Sequence, residues 1–346
     1  MNQQVQFGLG TFGDVTVDDS GTPLSQAQVI RNVVAEGVLA DKLGVDYFGV
    51  GEHHRDDFAI TAPETVLAAL AVSTENIALG SAVTVLSSDD PVRVYERFAT
   101  VDALSNGRAE IILGRGSFTE SFPLFGYNLG DYETLFSEKL HLFSELIKEE
   151  PVTWKGTLRA SLNNHNVFPR TESGKLNTWI GVGGSPESVV RAARYGMPLV
   201  LAIIGGQPER FAPYAELFHR ALAELGQPDL PIAVHSPGYI TDSDDDVVEE
   251  LWPHYSVMRD RIGRERGWPA STLDEFMGEV QHGSLYAGSP ETVAQKMATT
   301  ISTLGIQRFD MKYSAGTLPH ERMMRSIELY GTQVIPRVRE LLADAS

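Results

Sequence analysis

Short apolar runs alternate with helix-like stretches along nearly the whole chain, and this alternation restricts the fold more than any single residue does. The runs are residues 5–11 (VQFGLGT), 45–54 (VDYFGVGEHH), 77–83 (IALGSAV), 109–116 (AEIILGRG), 178–182 (TWIGV), 198–204 (PLVLAII), 232–240 (IAVHSPGYI) and 306–313 (IQRFDMKY). Between them the pattern turns helical. Residues 25–44 stop at Gly44, and 63–75 follow. Residues 91–107 have Pro91 in the first turn and Gly107 as a stop. In 131–149, Leu135, Phe136, Leu140, Phe143, Leu146 and Ile147 share one stripe. Further helices are predicted over 186–195, 208–226, 243–265, 290–303 and 319–343. Eight strands alternating with helices favour parallel βα units and close most simply as a (β/α)8 TIM barrel, a single domain over 1–346. An open doubly wound sheet is the other arrangement of such a pattern. Residues 150–176 break the rhythm. They are long for a connection inside a compact domain, which predicts an insertion or lid.

With 42% hydrophobic residues in 346, the chain can bury a large core. Its net charge of −18 argues against nucleic acid or an anionic membrane as partner. Any phosphate ligand must then be held by local donors, against the overall field. The absence of cysteine excludes disulfides, thiolate metal sites and a Cys nucleophile. The N-terminus shows no basic region followed by an apolar one, and no apolar stretch approaches a membrane span, so a cytoplasmic protein is expected.

In a barrel, chemistry belongs at the C-terminal ends of the strands. Those positions are Thr11, His53 and His54, Ala82 and Val83, Arg115 to Phe118, Gly183 to Ser185, Ile203 to Gly206, His235 and Tyr313. In GVGGSPES (181–188), Gly183 and Gly184 let backbone amides approach a ligand. Ser185 is a helix cap, Pro186 opens the first turn, and Ser188 faces back toward the cap. Free amides and the helix dipole favour an anion there; a capped helix with nothing bound fits the same residues. The words GSPE recur at 288–291 with a single glycine, so the first copy is the better anion site, and neither has dinucleotide-fingerprint spacing. Arg115, between two glycines, could face a phosphate or make a structural salt bridge. In GEHHR (51–55), Glu52 and His54 share one side of the strand and His53 the other. Metal binding, proton transfer by histidine and buried polar packing all fit that cluster. The H-x-H pair of barrel metallohydrolases and a G-x-S-x-G elbow are both missing. The acidic run 241–250 reads as a solvated helix start.

Taken in order, these pieces resemble the bacterial luciferase-like flavin monooxygenases. The similarity runs from QFGLGT to the final helix, and is most specific in GVGEHH, in LGSAVTVLSSDDPVRVYERFATVDALSNGRAEIILGRGSF and in GVGGSPESVVRAARYGMPLVLAII. The resemblance implies a barrel whose mouth holds FMN. The ring would lie against Ala82–Val83, where the family often has a non-prolyl cis peptide. The phosphate would be held by Arg115, Ser117, Gly183, Gly184, Ser185 and Ser188, with Phe118 and Ile203 lining the flavin. His53 matches the family's proton-handling histidine. The implied activity is an FMN-dependent oxidoreductase, a monooxygenase acting with O2 on a small organic substrate. The electrons would come from a separate flavin reductase or NAD(P)H, and the implied assembly is a homodimer paired through helices near the early strands. Deazaflavin-dependent hydride transfer, flavin binding without catalysis and a metallohydrolase remain as alternatives. Two positions depart from the luciferase branch. Gly114 stands where that branch has a thiol, which argues against light emission. The segment 131–140 offers only Lys139 where it has a second phosphate-directed arginine.

Overall fold

The computed structural model describes residues 4–18, 20–116 and 118–344. Among the described residues eleven strands are present: β1 (Gln6–Thr11), β2 (Tyr47–Val50), β3 (Ala78–Val85), β4 (Ala109–Gly114), β5 (Val152–Trp154), β6 (Leu162–His165), β7 (Asn177–Val182), β8 (Leu199–Ala202), β9 (Ile232–Ile240), β10 (Tyr286–Gly288) and β11 (Arg308–Lys312). Eight of them close a parallel barrel in the order β1-β2-β3-β4-β7-β8-β9-β11, and β11 pairs back onto β1. The alternation of strand and helix therefore does close as the TIM barrel that it predicts. The short β10 lies outside the ring and pairs with the far end of β9, at Gly238–Ile240.

Side chains alternate across each strand, so every second residue points into the barrel. The inward set includes Tyr47, Ala82, Ile112, Trp179, Val200 and Ala233, which form one buried cluster. The outward set, for example Leu9, Phe48, Ile111, Leu201 and Phe309, packs with the surrounding helices in a second, larger core. Local signals start and stop these helices. Asp90 caps the helix Pro91–Leu104 by accepting from the amides of Val92 and Arg93, and Gly196 ends the helix Pro186–Tyr195 in the left-handed region at φ 61°.

The floor of the barrel is charged. Arg308, 1% exposed, donates to Glu110 at 2.6 Å and Asp310 at 3.0 Å, with its guanidinium near the rings of Tyr47 and Trp179 at 4.1 and 4.4 Å. Gly8 makes room for this cluster: a Cβ there would lie 2.1 Å from Asp310 Oδ1. Burial pushes the Asp310 carboxyl up to about 6, with Arg308 opposing.

Two connections differ from expectation. Residues 150–176 do form an insertion, the antiparallel β5–β6 hairpin and its flanks, but it lies along the side of the barrel. Its hydrogen bonds to the helices Pro91–Leu104 and Tyr132–Leu146 and their ends include Trp154 to His141, Thr157 to Glu138, Arg159 to Asp90, Thr171 to Glu149 and Ser173 to Asp102. The covering element comes instead from the predicted helix 243–265, which divides into Asp246–Glu250 and Trp252–Arg266. The second piece crosses the loops that follow three barrel strands. Glu265 pairs with Arg55 at 2.6 Å, Arg261 with Asp57 at 3.1 Å, Arg266 lies 5.4 Å from the Phe118 ring, and His254 bonds Thr317 at 2.8 Å.

Candidate active site

The mouth has an apolar shelf on one wall. The Ala82–Val83 peptide is cis, and pairing with β4 slips by one residue between Ala82 and Thr84. The slip lets Val83 lean across the neighbouring strands. A Cβ at Gly114 would lie 2.5 Å from Val83 Cγ2, and one at Gly181 would lie 3.1 Å from Val83 Cγ1. Gly114 is thus a packing requirement of the shelf: any side chain there, a thiol included, would displace Val83.

His53 occupies the opposite side, enclosed by rings. Phe12, Phe58 and Phe118 stand 4.6, 4.7 and 4.9 Å from it, the first and last edge-on. Its amide bonds the Ile60 carbonyl, and Nδ1 lies 4.0 Å from Glu120 Oε1. Burial pulls the imidazole down to about 3; Asp14 pulls upward, and the positive charges of Lys312 and Arg55 push further down. His53 is therefore neutral at physiological pH, with one ring nitrogen a donor and the other an acceptor. Deeper in, His235 abuts Gly10 and is lowered to about 4 by burial and by Lys312 and Arg308. Part of its surface stays accessible. Lys312, at the end of β11, is held by both oxygens of Asp14 at 3.1 Å, and Asp14 also receives Ser314 Oγ and the Gly316 amide.

The anion end lies where β4 meets the helix Pro186–Tyr195. Ser185 caps that helix, accepting from the Ser188 amide at 3.4 Å and donating to Glu187 at 2.7 Å. Ser188 is buried behind it. Gly184 takes φ 108°, and its carbonyl accepts from the Tyr214 hydroxyl at 2.8 Å; Gly183 has open space where a Cβ would stand. Arg115 reaches this end, donating to Glu133 at 2.8 Å and lying 5.3 Å from the Tyr132 ring. Arg191, two turns into the capped helix, pairs with the other oxygen of Glu133. The second GSPE start is already filled: Asp244 accepts from the Ser289 amide and the Thr292 hydroxyl at 2.7 and 2.8 Å.

The structure thus brings Arg115, Ser185 and Ser188 to one end, Ala82 and Val83 to the shelf, and His53 and Phe118 to the aromatic side. Ser117 lies outside the described residues. Ile203 departs from its expected position. It is fully buried in the outer core with Leu199 and Leu201, and the neighbouring Ile204 is exposed. The parity of PLVLAII carries that signal, since Ile203 shares a face with Leu199 and Leu201. Lys139 does not replace a phosphate-directed arginine: its amine donates to the Ser87 carbonyl at 2.6 Å, lies 4.1 Å from the Tyr127 ring and is lowered to about 8 by burial. Arg191 escaped the sequence reading, although its i+3 spacing from Ser188 puts both on one helix face.

These residues suit a phosphate-bearing group. Arg191 Nη1 is buried with no hydrogen-bond partner among the described residues, so a guanidinium N–H there lacks an acceptor.

Comparison with known proteins bears on the family and the fold. Residues 7–308 match the family model described as luciferase-like monooxygenase. An uncharacterised protein of Sinorhizobium fredii is 24% identical over 334 residues, covering 92% of this chain and 94% of that protein. An alkanal monooxygenase alpha chain of Photorhabdus luminescens is 28% identical over 244 residues, covering 68% of this chain and 64% of that one. Among solved structures, the oxygenating constituent of 3,6-diketocamphane monooxygenase from Pseudomonas putida, a type II Baeyer–Villiger monooxygenase in complex with FMN, superposes with a TM-score of 0.79 at 18% identity, over 96% of this chain and 98% of that one. The coenzyme F420-dependent tetrahydromethanopterin reductase of Methanopyrus kandleri gives 0.72 at 19% identity, over 97% and 99%. The structural likenesses establish the barrel, and the family match spans it from β1 to the start of β11. On that ground the chain belongs to the luciferase-like monooxygenase family and is an oxidoreductase.

Proposed function

We propose that this enzyme is an FMN-dependent monooxygenase that uses reduced flavin and O2 to oxidise a small organic substrate. The observation that carries the reading is the meeting, in one barrel mouth, of the Val83 shelf with an arginine-bearing anion seat beside the helix cap of Ser185. A flat apolar ring with a phosphate tail needs both. When bound, the flavin supplies the electrons that allow one oxygen atom of O2 to reach the substrate and the other to leave as water.

The protein's own residues do the rest. Ala82 and Val83 give the ring a flat wall, and the glycines beneath keep it unobstructed. Neutral His53 offers a ring nitrogen to take up or return a proton at the substrate, and Glu120 4.0 Å away stands ready to pair with the imidazolium. Phe12, Phe58 and Phe118 keep water from that nitrogen, and the helix Trp252–Arg266 covers the loops above. The reading includes a flavin reductase or NAD(P)H as electron source. It also includes a homodimer formed through the helices Pro63–Ser73 and Pro91–Leu104, where Val72 and Leu104 are exposed.

Hydride transfer from the deazaflavin F420 is the second reading, favoured by the backbone likeness to the tetrahydromethanopterin reductase. Titrating the protein with FMN and with F420 separates the two. His53→Ala should bind FMN as tightly as the wild type within twofold and lose turnover by about 10²-fold or more. Full turnover in that variant removes His53 from the mechanism; binding of F420 without FMN replaces the first reading by the second.

A further inference from the structure

Arg115 and Arg191 come from different elements, the end of β4 and the middle of the helix Pro186–Tyr195, yet they converge on one carboxylate, each taking one oxygen of Glu133. Glu133 lies in the first turn of the helix Tyr132–Leu146, and its side chain is 53% exposed. The contact is unequal: two guanidiniums divide one carboxylate between them, and the further carboxylate near Arg191, Glu187, is engaged by the Ser185 hydroxyl. The donor count is also unbalanced, because Arg191 Nη1 has no acceptor among the described residues. Helical side chains lean toward the N-terminus of their helix, so Arg191 reaches back toward the turn capped by Ser185. Two guanidiniums and a helix N-terminus match a phosphate monoester, with three terminal oxygens and nearly two charges, better than a carboxylate with two oxygens and one charge.

We propose that Glu133 is a resident stand-in for the cofactor phosphate. It holds the Arg115–Arg191 seat in the free protein and gives it up when a phosphate monoester arrives. Arg191 is then the second phosphate cation, supplied by the helix that follows the glycine loop, where the segment 131–140 provides none. This rests on the reading of the mouth as a flavin-phosphate site. Glu133 thereby sets how tightly the phosphorylated cofactor is held: it screens two arginines from other small anions, and it competes with the phosphate for them.

Quenching of flavin fluorescence on titration into the cofactor-free protein reads this directly, with FMN and riboflavin as probes. Glu133→Gln should bind FMN about three- to tenfold tighter than the wild type, and riboflavin within twofold. Arg191→Met should weaken FMN about tenfold or more and leave riboflavin within twofold. Inorganic phosphate should displace FMN at lower concentration from Glu133→Gln than from the wild type. Effects of opposite sign in the two variants cannot arise from a general loss of folding. Weaker FMN binding by Glu133→Gln, or unchanged FMN binding by Arg191→Met, overturns the proposal. If Arg115→Met alone loses FMN, the phosphate site stands without this device. If the wild type binds neither flavin, the cofactor reading falls and this proposal with it.

Discussion

The two histidines of the mouth make acid sensitivity a property of single residues. Burial holds His53 at about 3 and His235 at about 4, whereas an unfolded histidine titrates near 6.5. Both are neutral in the folded protein over a range where the unfolded chain binds protons. The stability each contributes is complete above pH 6.5 and is lost as pH falls toward the folded values. At pH 5 each loss amounts to about 2 kcal/mol. Asp310 works the other way: raised to about 6, it binds its proton earlier in the folded state and returns about 1 kcal/mol by pH 5. His235→Asn should therefore shrink the loss of unfolding free energy between pH 7 and pH 5 by about 2 kcal/mol, measured by urea denaturation at the two pH values. An undiminished loss would show that His235 is not held neutral. For catalysis the same burial predicts that the ionisation of His53 and of His235 in the free enzyme does not shape kcat/KM between pH 6 and 8.

Two elements divide the work that one was expected to do. The helix Trp252–Arg266 bridges the loops after β2, β4 and β11 through Arg55–Glu265 and Arg261–Asp57, the Arg266–Phe118 contact and the His254–Thr317 bond. Glu265→Gln should cost less than about 1 kcal/mol of stability, since Glu265 is largely solvated. It should nonetheless raise the share of reduced cofactor that yields hydrogen peroxide rather than product, measured as peroxide per substrate turned over; an unchanged ratio would mean that this pair does not keep the mouth closed. The β5–β6 hairpin belongs to the flank. Trp154, 4% exposed and bonded to His141 at 3.2 Å, anchors it. Trp154→Ala should lose about 3 kcal/mol of stability with kcat and cofactor affinity of the folded protein unchanged. A selective loss of kcat would return the hairpin to the role of lid.

At the scale of the whole molecule, the barrel is closed around a buried charge cluster. Arg308 on β11 binds Glu110 across the barrel on β4 and Asp310 on its own strand. Removing the cation leaves two carboxylates in a dry interior. Arg308→Met should cost about 3–5 kcal/mol in chemical denaturation, because an unpaired buried charge loses its Coulomb partner and keeps its desolvation penalty. Adding Glu110→Gln and Asp310→Asn should recover part of that loss. If the single variant is as stable as the wild type, the cluster is not what ties these strands together.

Much of this was legible from residues near one another in the chain. The eight strands, the first turn at Pro91, the stops at Gly44 and Gly107, the cap at Ser185 and the glycine loop rest on the periods of strand and helix and on turn chemistry, which act over a few residues. Parity within 198–204 also contained the correct orientation of Ile203. The meeting of Arg115, Glu133 and Arg191 was not legible, because it joins positions 18 and 58 residues apart through the closure of β4 beside the following helix. Nor was it legible that 252–266 covers the mouth while 150–176 packs on the side. Local pattern determines which segments become strands and helices; where side chains from separate segments meet is set by the barrel's closure and by the partners that bury each surface.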